Sequence, residues 1–302
     1  MARFDAVFVG AATYDAVALV EGFPAPDERV VALDVAYAGG GPAATAAVAA
    51  SRLGVTTAFV GTVGDDANGR SIMDGLAFEG VDVSGVTVSD RHASAASVVI
   101  VDRVRGSRAI CNRPAPRLDI SAGAALIRSA PIVHVDHAGW GPVTESRISM
   151  SGQVLSVDAG NSIPGYTPDR VDLFVPTVEA LRRSYGHLSI DDLLGRAISG
   201  GAHVVVATDG SRGSYALTAD GESAFAPAHS VDVVSTLGAG DVFHGALVAA
   251  VVRTLPLQQQ LSFANVTAAL SCRGLDGRSR IPQLAEVLHA VSTPIPSAPQ
   301  LP

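Results

Sequence analysis

The chain has 302 residues, 48% hydrophobic and 17% charged, enough to bury the core of one large α/β domain or two modest ones. A formal charge of -8 gives no general attraction to nucleic acid or anionic membrane. Every one of the 21 basic residues is arginine, which excludes a Walker A lysine, the strand lysine of a protein kinase and Schiff-base chemistry.

Ala6 to Gly10 reads as a first strand close behind Met1, so no signal peptide is expected. Pro42 to Leu53 is a small-residue helix stopped by Gly54, and Thr57 to Gly61 is the next strand. Ile132 to Val135, Val154 to Asp158, Asp172 to Val175 and His203 to Ala207 follow as strand candidates, with helical stretches between most of them. Such alternation implies a mostly parallel sheet covered on both faces. Arg29 to Tyr37 and Ala95 to Asn112 break the rhythm. They read as antiparallel strands, the second turning at Val104 to Ser107. The expected organisation is one α/β domain over 1–291, with a small β-sheet lid from about 15–37 and 89–114 and a proline-rich flexible tail at 292–302. The most apolar run, Gly245 to Val252, is far short of the ~20 residues a spanning helix needs. Cys111 and Cys272 form no C-x-x-C, which argues against a disulfide framework and suits a reducing cytoplasm.

The strongest chemical pattern is Ser235-Thr236-Leu237-Gly238-Ala239-Gly240-Asp241-Val242-Phe243-His244-Gly245-Ala246. A β-rich approach, Val231 to Val234, enters a Gly-Ala-Gly turn and then an apolar helix. The unpaired first amides of a helix attract anions, and small residues let a ligand approach the backbone. A carboxylate there suits phosphoryl transfer, because the amides steady the moving group while Asp241 takes the acceptor's proton. For G-x-G-D alone, a helix-favouring aspartate after a plain turn is an equal alternative.

The wider pattern resembles the ribokinase-like (PfkB) sugar kinases, whose C-terminal signature is D-T-x-G-A-G-D. Gly39-Gly40-Gly41-Pro42-Ala43-Ala44-Thr45 with Arg52-Leu53-Gly54 is similar to that family's N-terminal signature, and Val63 to Gly69 to its V-G-x-D-x-x-G. Thr208-Asp209-Gly210-Ser211-Arg212-Gly213 resembles its T-x-G-x-x-G nucleotide loop. The resemblance implies a Rossmann-like central sheet with a lid, ATP and Mg2+ as cofactors, a sugar as acceptor and a homodimer through the lid. It implies Asp241 as general base and the amides of Gly238, Ala239 and Gly240 as anion hole. It places Asp15, Gly40 and Gly41 on sugar hydroxyls, Thr208, Gly210 and Gly213 on ATP, Asn265 near adenine, and Glu179 on magnesium through water. Three departures stand out. Pro176 replaces the asparagine of N-x-x-E, implying altered magnesium handling. Ser235 replaces an aspartate of the monovalent-cation site, so K+ activation is expected to be weak or absent. Thr45 replaces a sugar-contacting asparagine.

The wording of Gly39 to Gly54 and of Asp241 to Leu247 looks closest to the sulfofructose kinase branch, which would place Arg29 and Asn112 on the sulfonate. The arginine that branch would carry after Val135 is absent, the chain reading Asp136-His137-Ala138. This points to another acceptor, a neutral or monophosphorylated ketose or pentose. Asp136 and His137, at a strand's C-terminal end, are either substrate contacts or a surface turn. Asp158 and Asn161 are minor candidates for the metal–water network. Packing is favoured for Trp140 and His244, and solvated loops for Arg103, Arg105, Arg108, Arg273, Arg278 and Arg280. The rivals are a nucleoside kinase of the same fold, a non-catalytic sensor, and a dinucleotide oxidoreductase. The last is disfavoured by a first strand that ends without G-x-G-x-x-G.

Overall fold

A computed structural model describes residues 3–146, 148, 150, 152–163, 166 and 171–292. In chain order the elements are β1 (Ala6–Val9), β2 (Thr13–Val20), β3 (Asp34–Gly40), α1 (Pro42–Arg52), β4 (Thr57–Gly64), α2 (Ala67–Phe78), β5 (Asp82–Ser89), β6 (Ala96–Asp102) and β7 (Ser107–Arg113). There follow α3 (Ala124–Ser129), β8 (Ile132–Val135), α4 (Trp140–Glu145), β9 (Val154–Ala159), β10 (Leu173–Pro176), α5 (Val178–Tyr185), α6 (Ile190–Ser199) and β11 (Val204–Thr208). β12 (Ser214–Thr218), β13 (Ser223–Ala226), α7 (Ala239–Val252), α8 (Leu257–Ser271) and α9 (Leu284–Ser292) close the chain.

The large sheet runs β13-β12-β11-β10-β9-β8-β1-β4-β5, parallel from β11 to β5 and antiparallel at β11-β12-β13. Strand alternation decides which helices cover which face. Ala6 and Phe8 join α1, α7 and α8 in one buried layer, while Val7 and Val9 join residues of α5 and α6 in the other. The parallel strands therefore end at one edge, where Val9, Val135, Ala159 and Thr208 hand over to loops. Ligands bind such edges in open α/β sheets. Among the described residues no helix is long and apolar enough to cross a membrane.

The second sheet is β3-β2-β6-β7, with β2 and β6 parallel and its outer pairs antiparallel. Val17, Val99 and Val101 bury its inner face on Leu275, beside Leu237. The opposite face leaves Val35, Tyr37 and Val98 at 51%, 68% and 56% exposure. This sheet stands where a lid was expected, and its 6–7 hairpin turns through Gly106 at φ 62.

Several local expectations are corrected. The stretch from Arg29 to Leu33 is loop, and the strand begins at Asp34, so Arg29 is not on a lid strand. Thr13–Val20 is a strand that sequence reasoning passed over, because it follows β1 after only three residues and its two faces are both half covered. Val231 to Val234 form no strand; Val234 N donates instead to Cys272 O at 2.9 Å, at the end of α8. The proline-rich tail at 293–302 lies outside the described residues, and Ser292 belongs to α9.

Candidate active site

α7 begins at a residue in the left-handed region, Gly238 (φ 73), where a Cβ would sit 2.9 Å from Gly277 Cα. Only glycine takes both that conformation and that approach without strain. The turn leaves amides free: among the described residues those of Gly238, Gly240 and Asp241 find no protein acceptor, and Ala239 N reaches only Thr236 O at 3.3 Å. The helix start thus presents donors and a partial positive charge to whatever lies in front.

Two clefts meet there. The first is lined by Asp15, Gly40, Gly41 and Thr45 together with Gly238 and Asp241. A Cβ on Gly40 would fall 2.1 Å from Asp15 Oδ2, so the missing side chain is what lets loop and carboxylate share the space. Asp15 Oδ1 and Thr13 Oγ1 are buried without a partner in the protein. Buried polar atoms are normally paired, so each of these oxygens has capacity for a further hydrogen bond. The second cleft is a groove of about 830 Å3, within the range of small-molecule sites. Ala239 and Gly240 line it with Thr208, Gly210, Gly213, Asn265 and Glu179. Asn265 Nδ2 donates to Ala226 O and Pro227 O, which leaves its amide oxygen as the free group.

Asn112 and His137 line a third cavity with Thr13, Pro42, Arg113 and Arg117. Arg29 lines none of the three. Asp136, a substrate contact or a surface turn by its sequence, is instead a structural knot. It is 0% exposed; its Oδ2 accepts from Ala11 N (2.8 Å) and Ala43 N (3.2 Å), and its Oδ1 from Ala138 N (2.8 Å) and Gly139 N (3.0 Å). Both oxygens are thus committed to the backbone, tying the ends of β1 and β8 to the start of α1. Trp140 packs edge-on against Tyr166, 4.8 Å between ring centres, as a packing residue would.

The electrostatics centre on α7. Burial, reinforced by the nearby Asp158 carboxylate, pushes Asp241 up to about 7. One turn along, His244 Nε2 meets Asp158 Oδ1 at 3.1 Å, with both side chains nearly inaccessible. Burial opposes both charges, yet the pairing wins: Asp158 is held down at about 2 and His244 is raised above its ordinary value. The two shifts point the same way, each favouring the ion-paired form. Asp158 Oδ1 also accepts from Gly160 N at 2.9 Å, so this oxygen is shared by the histidine and the backbone. Behind it His134 is fully buried, bonded to Ser156 Oγ, and kept neutral by burial at about 3.

Arg278, expected in a solvated loop, is only 7% exposed. Its Nε donates to Thr45 Oγ1 at 3.1 Å and its NH2 to Gly40 O at 2.7 Å, clamping the glycine loop to α1. Thr45 is thus a clamp residue whose O–H is still free to donate. Burial lowers Arg278 to about 10, still charged at neutral pH, which supplies a cation among Asp15, Asp241 and Asp276. The His244–Asp158 pair had a legible trace: a histidine three residues from Asp241 on an otherwise apolar helix. The Arg278 clamp spans 233 residues and had none.

A helix start shared by a polar acceptor-sized cleft and a longer groove defines the architecture of a group-transfer enzyme. Residues 3–284 match the model of the pfkB family carbohydrate kinases, and the chain belongs to that family. It is 27% identical to a ribokinase of Schizosaccharomyces pombe over 82% of this chain and 85% of that one. It is 29% identical to fructokinase-2 of Oryza sativa subsp. japonica, covering 84% of each. Its fold matches Arabidopsis thaliana ribokinase, solved with ribose and ATP, with a TM-score of 0.84 at 24% identity over 97% of this chain and all of that one (100%).

Proposed function

We propose that this kinase moves the terminal phosphoryl group of ATP onto a hydroxyl of a small ketose or pentose. One observation carries the reading: Asp241 and Gly238 line the polar cleft, while Ala239 and Gly240 line the groove. Asp15 and the Gly40–Gly41 loop hold the sugar hydroxyls, since a carboxylate oxygen accepts from more than one donor. Thr208, Gly210, Gly213 and Asn265 hold the nucleotide. Asp241, ionised, takes the proton of the attacking hydroxyl, and the amides of Gly238, Ala239 and Gly240 steady the charge of the transferring group.

Among the described residues no cluster of acidic, histidine or cysteine side chains could hold a metal by itself. Glu179, on the groove wall and paired with Arg183 at 3.8 Å, suits an Mg2+ that arrives with the nucleotide and keeps most of its waters. The ion would neutralise phosphate charge. Ser235 is 5% exposed and its Oγ accepts from Leu237 N, a weaker host for K+ than a carboxylate.

The chain works as one α/β domain whose small sheet closes over the cleft and excludes water. The cavity lined by Arg113, Arg117, His137 and Asn112 favours a second reading, an acceptor carrying an anionic substituent such as a sugar monophosphate. An ADP-release assay over ketoses, aldoses, their monophosphates, sulfofructose and nucleosides distinguishes these, and K+ is expected to leave the rate unchanged. Turnover with nucleosides alone would sink the sugar reading.

The exposed Val35, Tyr37 and Val98 suit a homodimer through the outer face of the small sheet. Wild-type protein is expected to elute as a dimer in size-exclusion chromatography, and Tyr37→Glu with Val98→Glu as a monomer. A monomeric wild type at micromolar concentration would refute that interface.

A further inference from the structure

Three arginines sit at the hairpin between β6 and β7, and two of them are occupied. Arg103 forms a two-oxygen pair with Glu21 at 2.8 Å, and Arg105 reaches Asp102 at 3.5 Å. Arg108 has no carboxylate partner among the described residues. Its NH1 donates instead to the hydroxyl of Thr236 at 2.9 Å, two residues before the left-handed Gly238. Its register partner on β6 is Val101, which is buried on the inner face of the small sheet, so Arg108 also faces the body of the protein. Both Arg108 and Thr236 line the long groove, beside Ala239 and Gly240.

We infer that Arg108 binds the terminal phosphates of the nucleotide, reaching them from the small sheet as it closes on the start of α7. The inference rests on the ATP-kinase reading and adds a residue to it. A nucleoside triphosphate brings several negative charges into a groove whose other arginine neighbours are committed. Arg212 is held by Asp209 at 2.6 Å, and Arg183 faces Glu179 at 3.8 Å. With no lysine in the chain, the groove has Arg108 as its arginine free of a carboxylate. A guanidinium meets phosphate with two parallel donors, a stronger contact than its present one to a neutral hydroxyl. The Thr236 bond therefore holds the arm at the mouth of the groove and gives way when the anion arrives.

The same face of β7 carries Asn112 to the acceptor side, four residues further along. One strand thus reaches both reactants, and closure over either brings the other's contact into place.

The test is calorimetric binding of Mg-ATP, ADP and adenosine to wild type and to Arg108→Gln. The substitution lies at an exposed hairpin, and thermal melting confirms that the fold is kept. Losing one charge-assisted contact should weaken ATP by about 10-fold or more and leave adenosine unchanged. Equal weakening of ATP and adenosine would reduce Arg108 to a structural role, and unchanged ATP affinity would remove the proposal. Either result leaves the kinase reading standing, provided the wild type binds ATP. A wild type that binds no ATP overturns both.

Discussion

Asp241→Asn is expected to lower kcat by about 10^2- to 10^4-fold, the usual contribution of a positioned general base, while the fold and ATP affinity are retained. The side chain keeps its shape and loses the ability to accept the hydroxyl proton. In the wild type, kcat/KM should fall on the acid side with a midpoint near 7, because a group raised to about 7 is protonated, and idle as a base, below that pH. The same shift has a signed consequence for stability. The carboxyl has an ordinary value of 3.8 and a folded value of about 7, so ionising it costs the folded state. That cost is absent below about 4, accumulates between the two values and is complete above 7. Asp241→Asn should therefore raise the melting temperature at pH 8 and leave it unchanged at pH 4. Near-wild-type turnover in this variant would defeat the assignment of the base.

Asp136→Ala is expected to destabilise the protein by about 3–5 kcal/mol, since four backbone N–H groups lose their acceptor inside the core. Asp136→Asn offers no full rescue, because its NH2 would point a donor at two N–H donors. Urea unfolding followed by circular dichroism measures the loss. The substrate-contact reading makes the opposite forecast, a raised KM for sugar with unfolding unchanged. A shift below 1 kcal/mol in unfolding would remove the knot.

These two residues show where sequence reasoning succeeds and where it stops. The strand candidate Ile132 to Val135 coincides with β8, and Pro42 to Leu53 with α1 to within its cap, because apolar runs and glycine stops are local features. Gly238 to Asp241 was legible for the same reason: an anion-binding helix start is built from consecutive residues. Asp136 stands at the strand end that the sequence indicates, but its buried carboxylate is neither of the two things the sequence allows there, a substrate contact or a surface turn. Its four donors come from Ala11, Ala43, Ala138 and Gly139, and the first two are 125 and 93 residues away. Arg278 and Arg108 were both assigned to solvent, because nothing near them in the chain announces Thr45, Gly40 or Thr236.

Composition and local pattern by themselves determined the α/β class, the two-faced parallel sheet, the presence of a small second sheet and the turn that starts α7. Each depends on the period of apolar residues or on glycines within a few positions of one another. The tertiary structure alone decided which carboxylates are enclosed by protein donors and which face a cleft. It paired Asp158 with His244, enclosed Asp136 among amides, and left Asp15 and Asp241 facing a shared cleft. The physical reason is that a carboxylate's work follows from burial and from the donors brought to it, and both are set by contacts between residues far apart in the chain.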